Sequence, residues 1–168
     1  MAVSEPLVPI DDEALRQVIW SVSTFEEGGS WQENEHERRL EQSASWDDTS
    51  RRLLSEMRAR RDQRRHEYAE QLALLRRHSD DPRVHEYFAT ELKSEDHLKR
   101  REAVRTLGRL ERRDWVIAAL TDVAQNDPYE ARRSTSSVDY TDPDVAEMHM
   151  ETYYELREEA QAALLRLR

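Results

Sequence analysis

An all-α fold is predicted for this chain: a short stack of helical hairpins preceded by an N-terminal helical arm. Three observations predict it. Apolar residues recur at three- and four-residue spacing over most of the length, which is the period of a helix with one buried face. The 168 residues include only 3 Gly and 5 Pro, so few turns are signalled, and β-branched runs are rare. A segment of helical pattern also returns after 35 residues, and a period near that length is the signature of paired helices stacked in a row.

The elements follow in order. Asp11 is a suitable N-cap, and Leu15, Val18, Ile19, Val22 and Phe25 form the apolar stripe behind it. Gly28 and Gly29 end that helix. Ser30 with Glu33 has the form of a capping box for a weaker helix to about Gln42, whose only large apolar residues are Trp31 and Leu40. Residues 47–78 read as one long helix or two in series. Leu53, Leu54 and Met57 mark one apolar face and Tyr68, Leu72 and Leu75 another, while 58–65 offers nothing apolar beyond Ala59. Asp81 and Pro82 supply an N-cap and a first-turn proline, and Val84, Tyr87, Phe88 and Leu92 supply the stripe that follows. Residues 98–110 form the next helix, with Ala103, Leu107 and Leu110 inward. Residues 115–124 form the most apolar one.

Aligning helices on their last leucine superposes Arg65, Arg100 and Arg157, and likewise Leu72, Leu107 and Leu164. The first offset is 35 residues and the second 57, so the last unit holds an insertion of 22. Small Ala and Gly at fixed positions would let helices approach closely, and the leucines would fill the seam. An arginine opening each second helix could bridge to a carboxylate such as Asp122 or Asp127. The chain resembles the HEAT-repeat family, whose second helices read Val-Arg-x-x-Ala-Ala-x-Ala-Leu-Gly-x-Leu. Arg100, Ala103, Leu107, Gly108 and Leu110 match that pattern, as do Leu156, Arg157, Ala160, Ala163, Leu164 and Leu167. Arg65, Ala69, Leu72 and Leu75 match it more loosely. Lys99 departs from it, and the proline often found in the first helix is absent. The resemblance covers about residues 64–168 and implies a short HEAT-like α-solenoid. The expected organisation is an acidic arm over 1–50 and a repeat domain over 51–168.

The insertion falls at 126–155, "NDPYEARRSTSSVDYTDPDVAEMHMETYYE". Val145, Met148, Thr152, Leu156, Ala160, Ala163 and Leu167 lie on one helical stripe, with Thr141 or Asp142 as cap and Pro143 in the first turn. This predicts a loop over 127–141, then a final helix overhanging its unit by about three turns. Met150, Tyr153 and Tyr154 lie off that stripe, beside a loop carrying Arg132, Arg133 and Tyr140. These are residue types enriched in interface cores. Two readings remain for them: a partner-binding surface, or a cover over the N-terminal helices.

Charge narrows the function classes. The net charge is −10, distributed as 3 basic and 12 acidic residues in 1–50, 9 and 4 in 51–78, and 14 and 20 in 79–168. The acidic balance opposes non-specific nucleic-acid binding. The basic island contains Arg58, Arg61 and Arg65, the candidate nucleic-acid contacts, but its arginines fall all around the helix. A solvated face, or neutralisation by the acidic arm, explains them more simply. With no cysteine there are no disulfides, thiol nucleophiles or thiolate metal sites. The six histidines form no His-Glu-x-x-His, and Glu33-x-x-His36 stands alone. His66 and Glu70 have ligand-capable spacing that more often marks a solvated pair. There is no Gly-rich phosphate loop, and the serines of 134–137 have no base nearby in sequence. No metal, cofactor or catalytic residue is expected.

No apolar run approaches the roughly 18–20 residues that span a bilayer, and the first residues lack a signal-peptide pattern. A cytoplasmic location is therefore expected. Arginine outnumbers lysine 24 to 2, which points to a GC-rich bacterial genome. The expected function is a non-catalytic protein-binding module, an adaptor or an immunity-type inhibitor. A basic partner would suit its charge.

Overall fold

The computed structural model describes residues 9–25, 31–45, 47–136, 141 and 143–168. The fold is mostly helical, with eight helices among the described residues. None of these is long and apolar enough to cross a membrane. The chain divides into two compact units, Met1–His78 and Ser79–Arg168. The expected division at residue 50 falls within the first turn of the third helix.

The first unit contains α1 (Asp12–Ser23), α2 (Trp31–Ser43) and α3 (Asp48–Arg77), with α1 and α2 both packed on α3. Asp11 caps α1 by accepting from the Ala14 amide at 2.8 Å. Asp47 caps α3 through the Thr49 and Ser50 amides. Helix α3 is a single unbroken helix of 30 residues, because neither Gly nor Pro interrupts it. Leu15, Val18, Ile19 and Val22 are buried on α1, as are Leu40 on α2 and Leu54 and Leu75 on α3. Phe25 stacks on Tyr68 with ring centres 4.0 Å apart. Leu53, expected on the buried face, is exposed. Gly28, Gly29 and Ser30 lie outside the described residues.

The second unit contains α4 (Pro82–Glu91), α5 (His97–Leu107), α6 (Asp114–Asn126), α7 (Pro143–Met148) and α8 (Glu155–Arg166). Asp81 and Pro82 start α4 as expected, with the Arg83 amide bonded to the Asp81 carboxylate. Asp96 does the same for α5. Helix α8 packs against both α5 and α6. Its buried face is Leu156, Ala160 and Ala163, and small side chains let the neighbours come close. Gly108 follows from the same closeness: a Cβ there would sit 2.8 Å from the Ala163 Cβ. Arg101 adds ion pairs to Glu155 (2.6 Å) and Glu159 (2.9 Å), tying α5 to α8.

The chain is not purely helical. Strands β1 (Ala131–Ser134) and β2 (Met150–Tyr153) pair antiparallel, with Arg132 opposite Thr152 and Arg133 opposite Glu151. The predicted overhang is therefore corrected: the helical stripe from Val145 to Leu167 is broken, and α8 begins only at Glu155. Met-Glu-Thr-Tyr has β-compatible chemistry. Its backbone groups pair across to β1 rather than along a helix. Leu164 is a second correction. It is only half-buried, whereas Leu107 is fully buried, because α8 turns its Leu156–Ala160–Ala163 edge inward.

Leu107→Ala should therefore cost roughly 2–5 kcal/mol, and Leu164→Ala less than about 2 kcal/mol, in urea unfolding followed by circular dichroism. Equal losses at the two sites would contradict this assignment of faces.

Candidate functional site

The two candidate surfaces of the sequence meet different fates. In the first unit, Glu33, Glu37 and Glu41 lie at four-residue spacing along α2, facing arginines on α3. Arg58 pairs with Glu41 and with Glu37, Arg61 pairs with Glu37, and Arg64 pairs with Glu33 at 2.9 Å. As the arginine number rises the glutamate number falls, which is the register of antiparallel helices. Arg58 and Arg61 are thus neutralised by the acidic arm. Arg65, the third candidate nucleic-acid contact, is exposed and lies outside this ladder.

The ladder has a pH signature. Burial opposes ionisation of Glu37, but hydrogen bonds from Arg58 and Arg61 outweigh it and hold the carboxyl below its usual range. Hydrogen bonds from Arg38 and then Arg39 hold Glu35 lower still, at about 2. Groups depressed in the folded state contribute stability that is complete above their ordinary value, 4.5 for glutamate, and is lost as pH falls through the folded value.

The second unit gathers most of the remaining candidates on the β ribbon. Arg132 pairs with Glu147, and Arg133 pairs with Glu151 and, at 3.6 Å, with Glu158. The Arg133 guanidinium lies 4.6 Å above the Tyr153 ring. Tyr154 follows the ribbon directly, with Arg157 3.9 Å above its ring and its hydroxyl donating to Glu130 at 2.9 Å. That bond to a carboxylate pushes the Tyr154 phenol up from its ordinary value. Met150 stands opposite Ser134. None of the eight ribbon residues is buried. Tyr140 lies outside the described residues.

One buried cluster anchors this region. Asp127, at the end of α6, accepts from Arg100 Nε at 2.8 Å and Arg100 Nη2 at 3.2 Å. The two side chains are 4 % and 8 % exposed. Arg100 Nη1 donates to the carbonyls of Ser94 and Glu95. The Tyr129 amide donates to Asp127 Oδ1, and Arg157 Nε donates to the Asp127 carbonyl at 2.7 Å. Two of the three arginines that the sequence alignment superposes, Arg100 and Arg157, therefore converge on one residue. Asp122, the other carboxylate considered as a bridge, instead accepts from the Asn126 side-chain Nδ2. Sequence reasoning placed no role on Glu130, Glu147, Glu151 or Tyr129, since their partners lie 15 or more residues away in the cases of Glu130, Glu147 and Glu151.

Beside this cluster a cleft of about 530 Å³ opens between the turn after α4 and the end of α6. Among the described residues no group of three or more His, Asp and Glu could hold a metal ion. No family model, no curated protein and no solved structure matches the chain.

Two outcomes follow. Asp127→Ala should cost about 3–5 kcal/mol, since it strands a buried guanidinium, whereas Asp122→Ala should stay within about 0.5 kcal/mol. Comparable losses in urea unfolding would remove Asp127 from its anchoring role. On acidification, the melting temperature should hold down to about pH 4.5 and then fall. Glu37→Gln should flatten part of that fall. A Glu37 carboxyl carbon titrating by NMR at or above the ordinary value would refute the ladder.

Proposed function

We propose that this chain is a non-catalytic protein-binding module, an adaptor or inhibitor, whose partner surface is the β ribbon with the residues flanking it. One observation carries the reading. The ribbon is an ordered element with paired strands and ion pairs, yet it contributes no buried residue to the core. It presents Arg132, Arg133, Met150 and Tyr153, followed at once by Tyr154. Arginine, methionine and tyrosine are enriched at interface cores, and rings already stacked under guanidinium groups need little further ordering on binding. The net charge of −10 suits a basic partner.

The scaffold reading is a short HEAT-like array in which α4 with α5, and α6 with α8, form successive hairpins. Three features support it: α8 packed on α5, the Gly108–Ala163 closeness between them, and Phe88 of α4 lying against Trp115 of α6 with ring centres 6.3 Å apart. Such arrays present extended surfaces for partners. Nucleic-acid binding is the second reading. The pairing of Arg58 and Arg61 with glutamates disfavours it.

The full chain, used as bait in a cell extract, should retain a protein that the Tyr153→Ala, Tyr154→Ala double variant loses. With that protein purified, the double variant should bind at least about tenfold more weakly, or roughly 1.4 kcal/mol. Tyr154 also holds Arg157 and Glu130, so melting temperature is measured on the same sample, and Tyr153→Ala alone serves as the milder variant. Undiminished affinity of the folded variants would end the ribbon proposal. Submicromolar DNA binding with a steep salt slope, abolished by changing Arg58, Arg61 and Arg65 to Glu, would reverse the ranking of the two readings.

A further inference from the structure

We infer that the cleft at the end of α6 receives an arginine side chain of the partner protein. The inference rests on the protein-binding reading and deepens it, by naming what the partner inserts. The cleft has a built interior. Leu92, Val123, Pro128 and Tyr129 supply its apolar and aromatic lining. The Tyr129 ring is held by parallel stacking on His97, with centres 4.0 Å apart and planes 8° apart. It is therefore a fixed flat surface, of the kind a planar guanidinium packs against. At the back, Arg100 and Asp127 satisfy each other and add no net charge.

The charge left over is negative. Glu95 and Asp122 line the cleft and are exposed, and neither carboxylate forms an ion pair with a basic side chain among the described residues. Asp122 is held in place by the Asn126 side-chain Nδ2 at 2.7 Å. A volume of about 530 Å³ exceeds one side chain and leaves room for its flanking backbone. The cleft adjoins the ribbon along the chain: Glu130, which accepts from Tyr154, stands between Tyr129 and the first residue of β1.

The test uses the full chain labelled with nitrogen-15 and titrated with N-acetyl-arginine N-methylamide, its citrulline counterpart, and spermidine. The arginine compound should shift the amides of Glu95, Asn126 and Tyr129 saturably, and less so at high salt. The citrulline compound should not. Glu95→Gln with Asp122→Asn should weaken binding by at least about fivefold at an unchanged melting temperature, while Tyr153→Ala should leave it unchanged. Equal shifts with citrulline, tighter binding of spermidine, or an undiminished double variant would overturn the inference. A chain that captures a partner through the ribbon but gives no shifts would sink the cleft alone. A chain that binds the arginine compound but captures nothing through the ribbon would sink the protein-binding reading alone.

Discussion

Asp127 ends α6, and two arginines from two other helices end on Asp127. Arg100 comes from α5 and takes the carboxylate in a two-pronged grip, and Arg157 comes from α8 and takes the carbonyl. Burying a guanidinium and a carboxylate costs several kcal/mol each unless their remaining hydrogen bonds are made. Here they are: Arg100 spends further donors on Ser94 and Glu95, and the carboxylate takes the Tyr129 amide as well. The cluster therefore fixes three things at once. It sets where α6 stops, how α5 and α8 lie against that end, and the direction in which the chain leaves. Pro128 and Tyr129 line the cleft, and Ala131 then opens the ribbon. Arg157 carries the same restraint onto the Tyr154 ring. Cleft and ribbon are thus both positioned by one buried pair and its neighbours.

The first unit is held differently. Its apolar stripes are narrow, and among the described side chains of α2 only Leu40 is buried. What orients α2 is the ladder of Glu33, Glu37 and Glu41 against Arg64, Arg61 and Arg58. The outer pairs, Arg58 with Glu41 and Arg64 with Glu33, are exposed and contribute at most about 1 kcal/mol each, so the ladder orients α2 more than it stabilises it.

Much of this was legible in the sequence, and what was not has a common cause. The helix starts at Asp11 and Asp81 were readable because a cap acts over two or three residues. The buried stripe of α1 was readable because its period is local. The convergence of the repeated arginines on Asp127 was partly readable, since Arg100 and Arg157 superpose and Asp127 was among the carboxylates within reach. The ribbon was not. Thr152 happens to fall on the helical stripe that continues through Leu156 and Ala160, so the 3.6-residue pattern masks four residues whose partners are β1, some twenty positions earlier. Leu164 was misplaced for a related reason. Alignment with Leu107 equates positions in a repeat, but α8 meets both α5 and α6, and its alanine edge fits between them better than its leucine edge does.

The arginines show how an acidic surface arises from a chain so rich in basic residues. Arg58, Arg61 and Arg64 in the first unit, and Arg100, Arg101, Arg105, Arg132 and Arg133 in the second, each face a carboxylate. Arg157 is spent on a carbonyl and a ring. Cations used internally add little to the field at a distance, because each is cancelled nearby, and the excess of 36 acidic over 26 basic residues then sets the far field. A basic partner approaching this molecule is drawn by that excess and slowed by added salt. At contact the order reverses. The ribbon offers guanidinium groups and rings in fixed positions, and the cleft offers carboxylates that no internal arginine has taken. Long-range attraction is thus general for cations, while on the proposed reading recognition would fall to the few groups that the Asp127 cluster holds in place.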